Sequence, residues 1–426
     1  IMDLYLGIDF GTSGARAVVI NTDATICAET EYAFEESAAT DLAASWQTAL
    51  FTLISQIPQE LRREIRAIAI NGTSSTVLLC DAAGIPVDAP ILYNDARGVE
   101  VMDKVKAIAP PNHTVLSATS SLAKLLWMTQ QPSLRSDVPP ERLYFLHQAD
   151  WLAFLLHGQL GISDYHNALK LGYDVKHLCY PTWLENLPFF NLLPKVLPPG
   201  TPVSEVTPDI ASRFGLHTDC FVCTGTTDSI AAFLASGAHS PGEAVTSLGS
   251  TLVLKLLSST RIDDSRYGIY SHRLGDLWLV GGASNTGGAV LRKFFTDAEL
   301  ESLSQDIDAK KESPLDYYPL LKEGDRFPIN DPNLPPRLEP RPANRVEFLH
   351  GLLESIARIE ALGYQRLQQL GATPLTRVYT AGGGAKNPTW TAIRDRHLQV
   401  PIVTPDHTAA AYGTALLALQ STIKRR

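Results

Sequence analysis

The sequence predicts a duplicated α/β architecture, two domains that face one cleft, and three observations carry it. The chain has 426 residues, too many for one ordinary core, so two domains are the natural division. An apolar run from Leu4 to Ile8, a Gly11-Thr-Ser-Gly14 turn and a second run from Ala17 to Ile20 read as a β-hairpin. The same pattern returns between Ala244 and Leu256 around Gly249-Ser-Thr251. Finally, apolar strands twice run through small residues into helical sequence, at Cys220–Asp228 and at Arg377–Asn387. Small polar residues at strand ends are where α/β sheets bind ligands.

Taken in order, the first hairpin ends its leading strand on Asp9 and offers two hydroxyls, Thr12 and Ser13, with clustered N–H groups at its tip. Such a tip is an anion-binding nest, and a carboxylate beside it suits Mg²⁺. An ordinary Gly-rich turn explains the same residues, and both readings stay open at this point. Ala24–Phe34 reads as a further strand. Asp41–Ile57 has helical spacing, with Leu42, Trp46, Leu50, Leu53, Ile54 and Ile57 on one face. Arg66–Ile70 is a short buried strand that ends in the polar loop Asn71-Gly-Thr-Ser-Ser-Thr76, either a ligand loop or a simple turn. Helices are expected at Ser120–Met128 and Gln148–Leu156, the second closed by Gly158. Asp164–Tyr173 mixes polar and apolar residues as a cleft lining does.

In the second half, Asp228 follows a strand and a Thr-Gly-Thr-Thr turn. It is placed to cap the helix opened by Ser229 and Ile230. Leu277–Val280 is a strand leading through the glycine-rich stretch Gly281–Gly288 into a helix ending near Phe295. Seven prolines between Pro319 and Pro342 mark a loop excursion. Asn344 with Glu347 is an N-terminal capping pattern, and Gly371 is placed to end the following helix. Gly382-Gly-Gly384 allows close backbone approach to a phosphate or a flat ligand. Asn387 and Pro388 suit the cap and first position of another helix.

Composition narrows the functional classes. Apolar content of 45% and charged content of 19% describe a soluble globular chain. A formal charge of −9 argues against nucleic acid as a partner. There is no apolar run long enough to span a bilayer, and no signal peptide is visible before the first strand. Five scattered cysteines fit a reducing compartment. Cys220 and Cys223 have redox or zinc spacing but no companion pair or histidine cluster, so core packing is expected of them.

In their order, Asp9-Phe-Gly-Thr-Ser-Gly-Ala-Arg16, Gly225-Thr-Thr-Asp228, the Gly249-Ser-Thr251 hairpin and Gly382-Gly-Gly-Ala-Lys-Asn387 resemble the FGGY carbohydrate kinases of the actin-like ATPase superfamily. Thr119–Gln131, Gly324-Asp-Arg-Phe-Pro328 and His350–Ala357 resemble further signatures of that family. The resemblance implies two actin-like ATPase (ribonuclease H-like) domains with an interdomain cleft. It places a sugar-binding domain at 1–235, a nucleotide-binding domain at 236–407, and a last helix, 408–426, packing back on the first domain. It implies ATP and Mg²⁺ as cofactors. Gly11, Thr12, Ser13, Arg16, Gly249, Ser250 and Thr251 would approach the phosphates. Gly287, Gly288, Gly383, Gly384 and Asn387 would form the adenosine pocket. Asp228 is the implied general base, Asp9, Ser74 and Asp228 the sugar contacts, and Asp9 and Asp228 the metal ligands.

The sugar loop Gly72-Thr-Ser-Ser-Thr76 lacks the Gly-Gln-Met-His-Gly of xylulose kinases and the Asn-Gln-Arg-Glu of glycerol kinases. It is similar to the Asp-Ala-Thr-x-Ser pattern of ribulose kinases, and the chain resembles the compact ribulose kinases of cyanobacteria and plants. Phosphorylation of D-ribulose to D-ribulose 5-phosphate is therefore expected, in the cytoplasm or in the plastid stroma after loss of a transit peptide. The alternatives are a D-xylulose kinase and a catalytically silent sugar and ATP sensor. Intact Asp9 and Asp228 weigh against the sensor.

Overall fold

The computed structural model describes residues 2–35, 41–132 and 143–423. It divides into two compact units, Ile1–Ala235 with His407–Arg426, and Ser236–Asp406. Among the described residues no helix is long and apolar enough to cross a membrane.

In the first unit the strands are β1 (Leu4–Phe10), β2 (Gly14–Asn21), β3 (Ile26–Ala33), β4 (Ile65–Gly72), β5 (Val77–Cys80) and β6 (Tyr144–His147), then β7 (Ile162–Asp164), β8 (Lys195–Leu197), β9 (Pro202–Glu205), β10 (Phe221–Cys223) and β11 (Thr226–Thr227). Its main sheet runs β3-β2-β1-β4-β10-β9, with β11 also paired to β4. β1 and β4 are parallel neighbours and nearly every residue in them is buried. Burial on both faces is why they read as continuous apolar runs rather than as alternating ones. One face is covered by the helix Leu42–Gln56, which buries Trp46, Leu50, Leu53 and Ile54 and is capped where Asp41 Oδ1 accepts from Ala44 N at 3.0 Å. The other is covered by the helix Ala410–Ile423 through Ala411, Ala415 and Ala418. Gly7 makes that contact possible, since a Cβ there would lie 2.1 Å from Ala415 N. Cys220 and Cys223 are buried free thiols of this core.

The second unit holds β12 (Glu243–Leu248), β13 (Leu252–Ser258), β14 (Tyr270–Leu274), β15 (Leu277–Ser284), β16 (Arg377–Ala381) and β17 (Ile402–Val403), in the order β14-β15-β13-β12-β16-β17. The helix Arg345–Gln369 packs against it. Asn344 caps that helix by accepting from Val346 N and Glu347 N, and Gly371 follows its end at φ 109°. Beneath β12 and β16, the fully buried Arg394 donates to both Glu360 oxygens at 2.8 Å and to Thr380 Oγ1 at 2.8 Å.

Three local expectations are corrected. Gly281 and Gly282 lie inside β15, where they pair with Lys255 and Leu254 of β13, so the glycine-rich turn is shorter than its composition suggests. Asp164, His166 and Asn167 are interior rather than cleft-lining. Asp164 accepts from the backbone N–H groups of His166 and Asn167 at 2.8 and 2.9 Å and from Asn167 Nδ2 at 2.7 Å, which lets a polar turn be buried. Asp228 is the first residue of its helix, Asp228–Ala235, not the residue before it.

Candidate active site

In the first unit the ends of three neighbouring strands gather the acidic residues. Asp9, near the end of β1, pairs with Arg16 on β2 and Asn71 on β4. Thr226 and Thr227 of β11 pair with Asn71 and Gly72, and Asp228 comes next in the chain. Asp9 and Asp228 line one cavity of about 580 Å³, together with Gly11, Thr12, Ser13, Arg16 and Ala410. Burial, and next the charge of Asp228, push the Asp9 carboxyl up to about 6, with Asn71 and Arg16 pulling the other way. Ser229 N donates to Asp228 Oδ1 at 2.8 Å, which holds that carboxylate at a helix start, where negative charge is favoured. Arg16 pairs with Glu31 at 3.0 Å, but both side chains are exposed, so the pair contributes at most about 1 kcal/mol and leaves the guanidinium easy to redirect.

The loop after β4 is held from within. Thr73 N donates to Gln148 Oε1 at 3.1 Å, and the Thr73 and Thr76 hydroxyls bond each other. Ser74 sits half-buried at the turn. Ser75 takes φ 64°, and its Oγ is buried without a partner. Asp9 Oδ1, Asn71 Oδ1 and Thr227 Oγ1 are buried and unpartnered as well. Those on Asp9, Asn71 and Thr227 belong to paired strand ends and leave a site short of hydrogen bonds, each costing about 1–3 kcal/mol until a ligand or water supplies one. Asp9 and Asp228 together make an oxygen donor set with excess negative charge, which fits a hard divalent cation.

The second unit carries a separate cavity of about 630 Å³, lined by Gly249, Gly288, Arg292, Gly383, Gly384, Asn387 and Trp390 among others. Its glycines have distinct jobs. At Gly287, φ 147°, a Cβ would lie 2.8 Å from Ser250 O, and at Gly288 one would lie 2.7 Å from Gly249 O. These two let the start of the helix Gly288–Phe294 press on the β12–β13 hairpin, where Gly288 N donates to Gly249 O at 2.9 Å. A Cβ at Gly384 would strike Leu248 and Trp390 at 2.7 Å, whereas one at Gly383 meets nothing within 4 Å. Gly383 is therefore the position whose open side gives a ligand room. The Asn387 side chain is used structurally, accepting from Trp390 N at 3.1 Å and donating to Ser304 Oγ at 2.9 Å. Ser250 and Thr251 stand at the hairpin tip, where Arg292 Nη2 donates to Ser250 Oγ at 2.8 Å. The sequence reading missed Arg292, whose only local signal is its place one helical turn after Gly288.

The first unit thus carries an acidic, hydroxyl-rich strand-end site, and the second a strand-end cavity lined by glycines. Residues 4–235 match the N-terminal domain and residues 244–421 the C-terminal domain of the FGGY family of carbohydrate kinases, and the chain belongs to that family. It is similar to the xylulose kinase of Bacillus subtilis (24% identical, covering 98% of this chain and 88% of that one) and to the gluconokinase of the same organism (21%, 98% and 88%). Its fold is similar to that of a crystal structure described as a xyloylose kinase from Brucella ovis (TM-score 0.82, 23% identical, 99% and 91% covered). The same holds for Plasmodium falciparum glycerol kinase with ADP (TM-score 0.83, 17%, 99% and 90%). The fold is thus the two-domain actin-like ATPase fold, and the protein is a xylulose kinase-like sugar kinase that uses ATP with a divalent metal, typically Mg²⁺.

Proposed function

We propose that the protein phosphorylates D-ribulose at its terminal hydroxyl, with Asp228 as the general base. The observation that carries this is the short-hydroxyl loop Thr73–Thr76, which follows the strand end paired with Asp9, together with the orphaned buried polar atoms of Asp9, Asn71, Ser75 and Thr227. A polyhydroxylated ligand supplies both donors and acceptors to such a set. An anionic sugar acid is less well served. Arg97 is already held by Asp95 through bonds of 3.0 and 2.6 Å, and Lys124 is held by two backbone carbonyls. Ribulose and xylulose differ at one hydroxyl-bearing carbon. A site that hydrogen-bonds that hydroxyl rejects the wrong epimer by leaving its own polar groups unpaired. Ser74, Asp9 and Asp228 are the groups assigned to the sugar.

In the reaction, the Asp228 carboxylate accepts the proton of the terminal hydroxyl. The sugar oxygen so freed of its proton bonds to the γ-phosphorus of ATP as the bond to the ADP oxygen breaks. Gly249, Ser250 and Thr251, with Gly11, Thr12, Ser13 and Arg16, are assigned to the phosphates, and Gly287, Gly288, Gly383, Gly384 and Asn387 to the adenosine. Mg²⁺, held by Asp9 and Asp228, would neutralise charge on the phosphate chain.

The test is ADP release by the purified protein with D-ribulose, D-xylulose, gluconate and glycerol in turn. D-ribulose is expected to give the highest kcat/KM. A clear preference for D-xylulose would refute the epimer assignment and leave the kinase activity standing.

A further inference from the structure

Lys124 lies in the helix Ser121–Thr129 with its side chain fully buried. Among the described residues no carboxylate lies within ion-pair distance of it. Its Nζ donates instead to two backbone carbonyls, Ser75 O at 2.6 Å and Tyr93 O at 3.2 Å. Burying an ammonium is costly, and a methionine of similar length would fill the same space without that cost. The two carbonyls explain the choice. Ser75, at φ 64°, holds a backbone conformation that L-residues rarely adopt, in the turn that closes the hydroxyl loop. Tyr93 opens the segment that carries Asp95 and Arg97, and Arg97 lies 4.8 Å over the Trp127 ring of the same helix as Lys124. One side chain thus ties the two loops to one helix.

We propose that Lys124 is a positioning residue for sugar recognition. By gripping the carbonyls of Ser75 and Tyr93, its ammonium holds the Asn71–Thr76 loop in the arrangement that binds sugar. The proposal rests on the assignment of that loop to the sugar. It makes ketose binding, and not nucleotide binding or phosphoryl transfer, depend on the lysine.

The charged groups acting on Lys124 are Asp95, Lys170 and Arg97. Burial is the largest influence and brings the amine down to about 7, with Asp95 opposing it and Lys170 and Arg97 adding to it. Below that pH the amine is charged and its bonds to the carbonyls are charge-assisted, the stronger kind. Above it the amine is neutral, has one proton fewer, and grips more weakly. The KM for ketose should therefore rise from pH 6.5 to pH 8.5, while the KM for ATP should not follow it.

The experiment measures kcat, ketose KM and ATP KM from pH 6 to 9 for the unmodified protein and for Lys124→Met, with D-ribulose and D-xylulose as probes. At pH 6.5 the variant is expected to show a ketose KM raised about tenfold, the effect of losing a charge-assisted hydrogen bond, with kcat and ATP KM within about twofold. The alkaline rise in ketose KM should be absent from the variant. An unchanged ketose KM in a folded variant, or a loss confined to kcat, overturns the proposal. If Lys124→Met does not fold, the unmodified protein decides alone, since a flat ketose KM across this range also overturns it. Failure of the unmodified protein to turn over either ketose refutes the sugar assignment itself and removes the proposal with it, a result separable from the others.

Discussion

Asp9 and Asp228 line the same cavity but are suited to different work. The Asp9 carboxyl is buried enough to hold its proton up to about 6, and one of its oxygens has no partner, which supports the metal role proposed for it. Asp228, the proposed base, opens a helix, with an oxygen tethered to the next backbone N–H. Asp228→Asn keeps the shape and removes the base. It is expected to lower kcat by about two to four orders of magnitude with little change in thermal stability. Near-normal turnover in a folded variant would sink the role. In the sequence Asp9 stands out near the end of an apolar strand, and Asp228 after a strand and a threonine-rich turn, places where a carboxylate has no packing purpose. Lys124 was legible only as part of a signature. Nothing local to a lysine in a helix says that tertiary packing will close over it, and the same is true of the buried pair Arg394 and Glu360. Asn387 was readable as a cap from its position before Pro388, and the structure shows the cap to be what its side chain does.

At the scale of elements, most of the fold followed from patterns that local physics enforces. The hairpins of both halves, the cap at Asn344 and the terminating Gly371 were all readable, because turns and helix ends impose specific residue chemistry. What failed were boundaries set by long-range pairing, such as Gly281 and Gly282, which β13 holds in a strand despite their composition. The triple glycine after β16 shows why a run of identical residues is hard to parse from sequence. At Gly382, φ 84°, a Cβ would lie 2.6 Å from Leu248, and Gly384 is equally tight, while Gly383 faces open space. This separates two effects that a sequence merges. Gly384→Val is expected to destabilise the protein by overpacking, on the order of 1–3 kcal/mol. Gly383→Phe should leave the melting temperature nearly unchanged and raise the KM for ATP at least about tenfold by filling the assigned pocket. Unchanged ATP KM in Gly383→Phe would move the adenosine site elsewhere.

For the whole molecule, each unit has its own extensive apolar core. One is built around β1, β4 and the helix Leu42–Gln56, the other around β12, β13 and the helix Arg345–Gln369. The candidate sugar residues all belong to the first unit, and the assigned adenosine residues all belong to the second. A ligand stabilises the structure it binds according to its concentration over Kd, about 2.7 kcal/mol at a hundredfold excess. For amides that exchange by opening of that unit, this is a slowing of about a hundredfold. Hydrogen exchange with a non-hydrolysable ATP analogue alone should therefore slow the amides of 248–256 and 377–390 far more than those of 65–72. D-ribulose alone should do the reverse, with the largest effect at 65–80. Protection of the first unit alone by the ATP analogue, or of the second alone by the ketose, would overturn the division of labour between the units.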